Sequence, residues 1–523
     1  MDDSVQSDSR DLAEFGYKQE LHRTLGSFSA FAAGFSYISI LTGMFQTSGY
    51  GFFFGGPAFA WFWLVVLFGQ FMVALQFCEL SAHYPLAGSV YQWSKQVAKR
   101  DWAWNTGWMY MCAQVITVPA VALAWQIVLP QVSTKFQFVG SSANSLNLYS
   151  KDFAENAIIL GMIMVVFTTI INIAGVSVMS KINNVGVICE LVGASLLIVL
   201  FLIHANRGPQ TVLTTTSGTA SAHGGHYFLA LLVAGIMPLY VMYGFDTAGS
   251  LAEETDEPRK RAPRAIIQAL ATAGTMGFLL ILFGSMAVSD KLFADGTSLS
   301  LTSITLDVFR TNIGKLFLID AAIAIFVCCL AIHAMSVRIL FAMGRDNNLP
   351  FASRLASVSG TRRVPVIPAV SVGVFAFLIL AFNIYNQYAV EIIVALGIIF
   401  MYLAYLGVTI PLLMRRSAGW PDNSPTNAPG LFRLGNWAMI TNVIAIIYGA
   451  AMVINLCWPR DYFYGPKWYQ QYGPITGVAV VMIAGLVLYY AYQKDRMGVL
   501  PEHQAAQSVT AGVPEPPPVH GGP

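Results

Sequence analysis

Residues 31–45 read FAAGFSYISILTGMF and lie within an apolar window over 28–50. The window is long enough to cross a bilayer, because a spanning helix needs roughly 20 mostly apolar residues. Two glycines and several hydroxyl side chains interrupt the apolar run, and glycine readily leaves the helical conformation. The stretch therefore predicts a membrane-spanning helix that can unwind part-way along its length.

Similar windows continue through the 523 residues of the chain. Hydrophobic residues make up 56% of it and charged residues only 11%, against about 25% charged residues in a typical soluble domain. Apolar windows of spanning length run over 28–50, 57–78, 102–129, 157–178, 185–203, 228–252, 266–288, 316–343, 364–381, 390–413, 437–456 and 475–492. We predict an all-α membrane protein with twelve transmembrane helices. The six cysteines form no CxxC pair, so we expect neither a metal site nor a cofactor.

The placement of basic residues predicts the orientation, because cytoplasmic loops carry an excess of lysine and arginine. Of the 29 basic residues, Arg338 lies inside a span, and one side of the predicted membrane holds only eight: Lys135, Lys151, Arg207, Lys291, Arg310, Lys315, Arg460 and Lys467. The other twenty share the side of both termini. We therefore expect a multi-pass protein of the cell (plasma) membrane, with a cytoplasmic segment over 1–27 and a disordered cytoplasmic tail over 497–523.

The sixth span is interrupted in a similar way to the first. Residues 237–246 read MPLYVMYGFD and combine a proline, a glycine and a carboxylate. Interrupted helices at corresponding positions are typical of two inverted five-helix repeats that enclose a solute site near the membrane midplane. The exposed N–H groups of a half-helix favour an anion such as a carboxylate. The alternative is that the glycines merely allow close helix packing.

Glu190 is the carboxylate that lies deepest in a predicted span. It follows Lys181 by nine residues, which places it about 13 Å from the cytoplasmic end of the fifth span. Carboxylates inside a membrane commonly form ion or proton paths, although a hydrogen-bonded structural carboxyl is the alternative. Asp320 and Glu391 are predicted near external, water-accessible helix ends and receive no role. We expect Arg338 to extend to the cytoplasmic interface.

Four short motifs carry a resemblance to a known family. They are LAEFGYKQELHR over 12–23, ELSAHYPLAGSVYQW over 79–93, Gly107-Trp108 with Gln114, and GRDNNLP over 344–350. With these motifs in this order, the chain resembles the amino acid–polyamine–organocation transporter superfamily. The resemblance is to its amino acid/choline branch in particular, which includes GABA permeases.

The resemblance implies a five-plus-five inverted-repeat fold that works by alternating access. Its first repeat would cover 28–203, its second 228–413, and two added helices 437–492. LTGMF over 41–45 is similar to the family's unwound Gly-Ser-Gly-Ile-Phe segment, whose N–H groups hold a substrate carboxylate; 34–36 is an alternative unwinding point. Tyr240 falls where relatives carry a gating aromatic. The predicted substrate-binding residues are Ser36, Ser39, Leu41, Thr42, Gly43, Tyr240, Val241, Met242, Tyr243, Gly244 and Asp246.

Glu190 corresponds to a position where several proton-coupled relatives have a lysine. The sequence contains no phosphate-binding GxxxxGK(S/T) motif, so with the resemblance we predict a secondary transporter, not an enzyme and without catalytic residues, that moves an amino acid or a related amine such as GABA. Glu190 would couple transport to protons by symport or exchange, although a carboxylate could equally hold sodium. The alternatives are a choline or polyamine (organic cation) transporter and a membrane sensor that binds a solute without moving it. The expected partners are the small-molecule substrate, the proton or sodium ion and the lipid bilayer; the net charge of +2 gives no indication of nucleic acid.

Overall fold

The structure is a computed structural model that describes residues 15–17, 26–147, 150–215, 226–295, 299–359, 364–386, 388–424 and 426–504. The helices in these ranges are α1 (Ser27–Ile38), α2 (Ile40–Gly55), α3 (Ala60–His83), α4 (Ser89–Val97), α5 (Arg100–Ala122), α6 (Trp125–Val132), α7 (Lys151–Ala174), α8 (Val176–Ile203), α9 (Tyr227–Ala234), α10 (Ile236–Val241), α11 (Thr247–Ser250), α12 (Pro258–Ala287), α13 (Asp290–Asp295), α14 (Leu301–Arg345), α15 (Ala352–Leu355), α16 (Val366–Phe382), α17 (Ala389–Ser417), α18 (Ala438–Cys457), α19 (Asp461–Tyr464), α20 (Trp468–Gln471) and α21 (Gly473–Leu488).

Ten helical segments of the described chain are long and apolar enough to cross a membrane. The predicted sixth and ninth spans correspond to two shorter apolar helical segments, Tyr227–Val241 and Val366–Phe382. The prediction of an all-helical, multi-pass membrane protein is confirmed. The exact number of twelve spans stays a prediction, because these two segments are shorter than the roughly 20 residues of a typical spanning helix.

The first span is broken at Ser39, between α1 and α2. Ser39 has φ 36° and ψ 94°, and its hydroxyl accepts a hydrogen bond from the N–H of Thr42 at the start of α2. The residues predicted to unwind, 41–45 and the alternative 34–36, are helical. The predicted position of the break was therefore wrong by a few residues. A serine is suited to this break because its side chain caps the beginning of α2.

The sixth span is broken immediately after α10, as its sequence predicts. The chain leaves the helix after Val241, and Gly244 has φ +87° before α11 begins at Thr247. A Cβ on Gly244 would lie 1.9 Å from Cδ1 of Tyr37 on α1. Only glycine allows this backbone conformation and this approach together. The two broken spans therefore cross in direct contact at their breaks.

The helices around this crossing come from distant parts of the sequence. The α14 segment, whose two helical parts meet at the non-helical residue Arg310, packs against α2, α5 and α8, and α17 packs against α5 and α18. The breaks in the first and sixth spans are therefore surrounded by the third, fifth, eighth and tenth predicted spans. This arrangement gives the core a buried pocket that no single helix contains.

The parts of both termini that the structure describes meet at one end of the bundle. Tyr17 pairs with Gln504 in an isolated β-bridge, and the N–H groups of Gly498 and Leu500 donate to the carbonyls of Asp346 and Arg345. We call this end, marked by 15–17 and 498–504, the tail-side end. Disorder was predicted from 497 onwards, but these backbone hydrogen bonds hold 498–504 in place. Most of 1–27 and the motif over 12–23, together with 505–523, lie outside the described residues.

Candidate functional site

A small cavity lies where the two broken spans cross, and in this conformation it has room for about one water molecule. A larger solute would fit only after the surrounding helices move apart. The lining residues are Tyr37, Ile38, Thr42, Gly43, Thr117, Val121, Tyr240, Tyr243, Cys328 and Ile332.

Four of the predicted binding residues line this cavity: Thr42, Gly43, Tyr240 and Tyr243. The other predicted residues, which do not line it, are Ser36, Ser39, Leu41, Val241, Met242, Gly244 and Asp246. Tyr37 and Ile38, just before the break in the first span, also line the cavity and were not predicted. The lining residues Thr117, Val121, Cys328 and Ile332 were missed because they belong to α5 and α14. Their sequence surroundings are ordinary apolar helix, which carries no signal of a site.

Aromatic rings dominate one wall of the cavity. The ring of Tyr243 lies 6.1 Å from that of Tyr37 and 5.9 Å from that of Tyr240, both edge-on. The hydroxyl of Tyr37 donates to Oε1 of Gln114 at 2.9 Å, and Thr117 lies within hydrogen-bond distance of the Tyr243 hydroxyl at 3.4 Å. These bonds hold the rings in place. Such a wall presents π-faces that attract an ammonium group.

The side chain of Glu190, a residue of α8, lies against the beginning of α2, beside the cavity. Its Oε1 accepts hydrogen bonds from the Ser39 hydroxyl and from the Leu41 N–H, both at 2.9 Å. The residue is 1% exposed, and its Oε2 accepts no hydrogen bond from any described residue. The resemblance implied that a substrate carboxylate binds to the N–H groups of this half-helix. In this structure a carboxylate of the protein itself occupies one of them.

Asp246 lies outside the cavity and joins several helices. Its carboxylate accepts hydrogen bonds from Tyr110 at 2.5 Å, from Ser89 at 2.8 Å and from Tyr405 at 2.5 Å. The Tyr405 hydroxyl in turn accepts the Gly244 N–H at 2.9 Å. With every donor taken from the protein, Asp246 holds the non-helical segment after α10 against α4, α5 and α17. Its position indicates a structural contact, not a substrate contact.

Two further expectations about charged residues were wrong. Glu391 is 1% exposed instead of water-accessible, and its Oε1 accepts a 2.8 Å hydrogen bond from Tyr50. Arg338 does not extend to an interface. It is 6% exposed and donates to both carboxylate oxygens of Glu254, at 2.7 and 2.9 Å. A bidentate partner of opposite charge makes such burial tolerable.

Comparison with known proteins agrees with this architecture. A family model described as amino acid permease matches residues 25–484, which contain nearly all the described helices. The chain is 28% identical to the amino-acid permease BAT1 of Arabidopsis thaliana, covering 91% of this chain and 92% of the relative. It is 26% identical to a BAT1 homolog of Oryza sativa subsp. japonica, covering 86% and 88%. It is 22% identical to the GABA-specific permease of Saccharomyces cerevisiae, covering 93% and 85%.

These matches confirm the resemblance that the sequence motifs carried. They extend over almost the whole chain, so they concern the complete helical bundle and not a fragment of it. Relatives of this kind are transporters and not enzymes. The chain therefore belongs to the amino acid permease family and is a multi-pass membrane transporter of amino acids.

Proposed function

We propose that this permease moves an amino acid or a related amine such as GABA by alternating access, with protons as the coupling ion. The proposal includes twelve spans: two inverted five-helix repeats and two added helices. The two short helical segments at the predicted sixth and ninth spans lie where such a repeat requires a span. It also includes a location in the plasma membrane. The tail-side end would face the cytoplasm, which the distribution of basic residues favours.

The observation that carries the proposal is the hydrogen bond from the Leu41 N–H to Glu190. The start of a helix stabilises a negative charge, and here the charge comes from the protein. A substrate carboxylate that approaches the same N–H groups would repel an ionised Glu190 at close range in a site of low dielectric constant. Protonation of Glu190 removes that repulsion. Substrate and proton would then enter together, which is the basis of symport.

The tyrosine wall supports the other half of substrate recognition. Tyr37, Tyr240 and Tyr243 line the cavity, where an ammonium group would gain cation–π attraction from their rings. A zwitterion would thus place its carboxylate towards α2 and its ammonium towards α10. The same wall also supports the alternative substrate, choline or a polyamine, because these cations need no carboxylate site. Substrates of that class would compete with zwitterions for the tyrosines alone.

Uptake into liposomes tests the proposal. We would screen purified protein by thermal shift against amino acids, GABA, choline and putrescine, since a ligand that binds the folded state raises the melting temperature. Solutes that bind would be tested for counterflow and for accumulation driven by a proton or a sodium gradient. Binding without counterflow would identify a sensor and overturn the transport proposal.

A Glu190→Gln variant tests the coupling. Glutamine keeps the size of the side chain and an oxygen for the Leu41 N–H, but it cannot carry a proton. We expect counterflow to remain and proton-driven accumulation to fall to the level set by the substrate gradient alone. Glu155→Gln, which changes a carboxylate at the beginning of α7, is the matched control. Unchanged proton-driven accumulation in Glu190→Gln would remove this residue from the mechanism.

A further inference from the structure

Asp320 of α14 lies against a gap in the neighbouring helix α8. A Cβ added to Gly193 of α8 would lie 1.7 Å from Oδ2 of Asp320. Any other residue at this position would displace the carboxyl group, because that distance is far below a van der Waals contact. Oδ2 is buried and has no hydrogen-bond partner among the described residues. The Asp320 carboxyl group therefore packs closely against the backbone at Gly193 without a hydrogen bond at Oδ2.

The position of Gly193 shows how deep this carboxyl lies. Gly193 precedes the end of α8 at Ile203 by ten residues, or about 15 Å of helix. Asp320 is flanked on α14 by Leu316, Ile319 and Ile323, whose side chains are 65%, 42% and 43% exposed. Those side chains would face lipid. A carboxyl group beside them is costly at membrane depth, and such residues generally mark ion or proton paths.

Glu190 lies one helical turn from this contact. It precedes Gly193 by three residues, so both lie on the same side of α8. Asp320 and Cys328, both of α14, are titratable groups close enough to Glu190 to act on it electrostatically. The Oε2 of Glu190, like the Oδ2 of Asp320, lacks a partner among the described residues. Two carboxyl groups on facing helices, Glu190 buried and Asp320 half-buried, thus each have one buried oxygen without a partner among the described residues.

We propose that Asp320 is the outer member of a two-carboxyl proton path along the seam between α8 and α14, with Glu190 as its inner member. The proposal rests on the proton coupling proposed above and adds the residue that supplies the proton. In the transfer, the O–H bond at Oδ2 of Asp320 breaks and an O–H bond forms at Oε2 of Glu190, directly or through one water. Asp320 is left as a carboxylate, which takes up the next proton. No electrons are exchanged.

The variants Asp320→Asn and Gly193→Ala test this path by two independent routes. The first removes the titratable group, and the second displaces it by filling the gap. Both would be measured in liposomes that contain a pH-sensitive dye, with the solute that gives the highest counterflow in the substrate screen. A proton-transfer group contributes roughly 100-fold or more to a rate. We expect proton-driven uptake to fall at least about tenfold in each variant, while counterflow stays as in the wild type. Asp320→Glu should restore part of the rate.

Asp307→Asn changes an exposed carboxylate in the part of α14 before the non-helical residue Arg310; it is the control and should leave both rates unchanged. Retained counterflow shows that the variants fold. Normal proton-driven uptake in Asp320→Asn, with uptake lost in Glu190→Gln, would overturn the path and leave the coupling proposal intact. Failure of the wild type to move protons with its substrate would overturn both. Because a purely structural role for Asp320 would lower counterflow and proton-driven uptake together, that outcome would also contradict the path.

Discussion

The two ends of the bundle are closed by different kinds of contact. At the tail-side end, Arg345 donates to both oxygens of Glu253, each at 3.0 Å, and Arg338 donates to both oxygens of Glu254. The Arg345 and Glu253 side chains are at most 1% exposed. Breaking such a pair leaves an uncompensated buried charge.

The opposite end, which we call the far end, is closed where α2 approaches the beginning of α17. Tyr50 donates one hydrogen bond to Glu391, and its ring lies 5.6 Å from that of Phe463 in an edge-on contact. Phe463 also contacts Phe54, with ring centroids 6.0 Å apart. Aromatic contacts can separate without leaving a bare charge. Because the tail-side end holds two bidentate ion pairs and the far end is held by the Tyr50–Glu391 hydrogen bond and aromatic contacts, we expect the far end to open more easily.

The largest expected effect is at the tail-side pair. Arg345→Ala would leave Glu253 buried without its guanidinium partner and should cost about 3–5 kcal/mol of stability. The melting temperature of purified protein would fall accordingly. The double variant Arg345→Met with Glu253→Gln should recover most of the loss, because Glu253 also accepts the Ala87 N–H and glutamine keeps that bond. A double variant no more stable than the single one would contradict the ion-pair account.

A smaller effect is expected at the far end. Tyr50→Phe removes the hydroxyl that donates to the buried Glu391 and should cost about 1–3 kcal/mol, the usual cost of an unsatisfied buried polar group. The ring contacts with Phe463 would remain. In the Tyr50→Phe variant, a cysteine near the far end should be labelled by a membrane-impermeant reagent faster than in the wild type. Tyr462→Phe, a neighbouring change outside this hydrogen bond, serves as the control. Equal labelling in all three proteins would show that the Tyr50 hydroxyl does not hold the far end closed.

The tail adds a still weaker contribution to the tail-side end. A chain that stops after Arg496 loses the bonds from Gly498 and Leu500 to the carbonyls at the end of α14. At about 1 kcal/mol for each net hydrogen bond, we expect a small fall in melting temperature. A chain that stops after Gln504 keeps both bonds and should match the full-length protein. If both truncations behave alike, the 498–504 segment does not support the tail-side closure.

The smallest effect is expected from a change of pH near neutrality. Burial would raise the pKa of Asp346, but Lys95, whose Nζ lies 2.5 Å from it, and Arg345 hold that pKa below its ordinary value. A lowered carboxyl pKa stabilises the fold above the unfolded value of about 3.9, and the stabilisation is lost as pH falls through the lower folded value. The difference in melting temperature between wild type and Asp346→Asn should therefore stay constant from pH 8 to pH 5. A difference that shrinks within this range would contradict the shift.

Much of the fold could be predicted because hydropathy is local. The apolar windows predicted the helices and the Pro238 and Gly244 interruption predicted one break without any knowledge of neighbours, whereas the Leu-Thr-Gly run placed the other break a few residues from its observed position at Ser39. The site could be predicted only in part. Thr42, Gly43, Tyr240 and Tyr243 carry local signals of an interrupted helix, whereas Thr117 and Cys328 lie in regular helices. Their role follows only from which helices pack together.

The helical, membrane-embedded class of this protein, its two interrupted spans and its deep carboxylate all follow from the amino-acid sequence. The packing of the helices was needed to see that the break lies at Ser39, that Glu190 caps α2, and that Asp320 lies against Gly193. Burial in a membrane is a property of a single segment, since each helix satisfies its own backbone hydrogen bonds. A capped helix end or a paired charge requires a partner from another helix, and sequence distance does not reveal that partner.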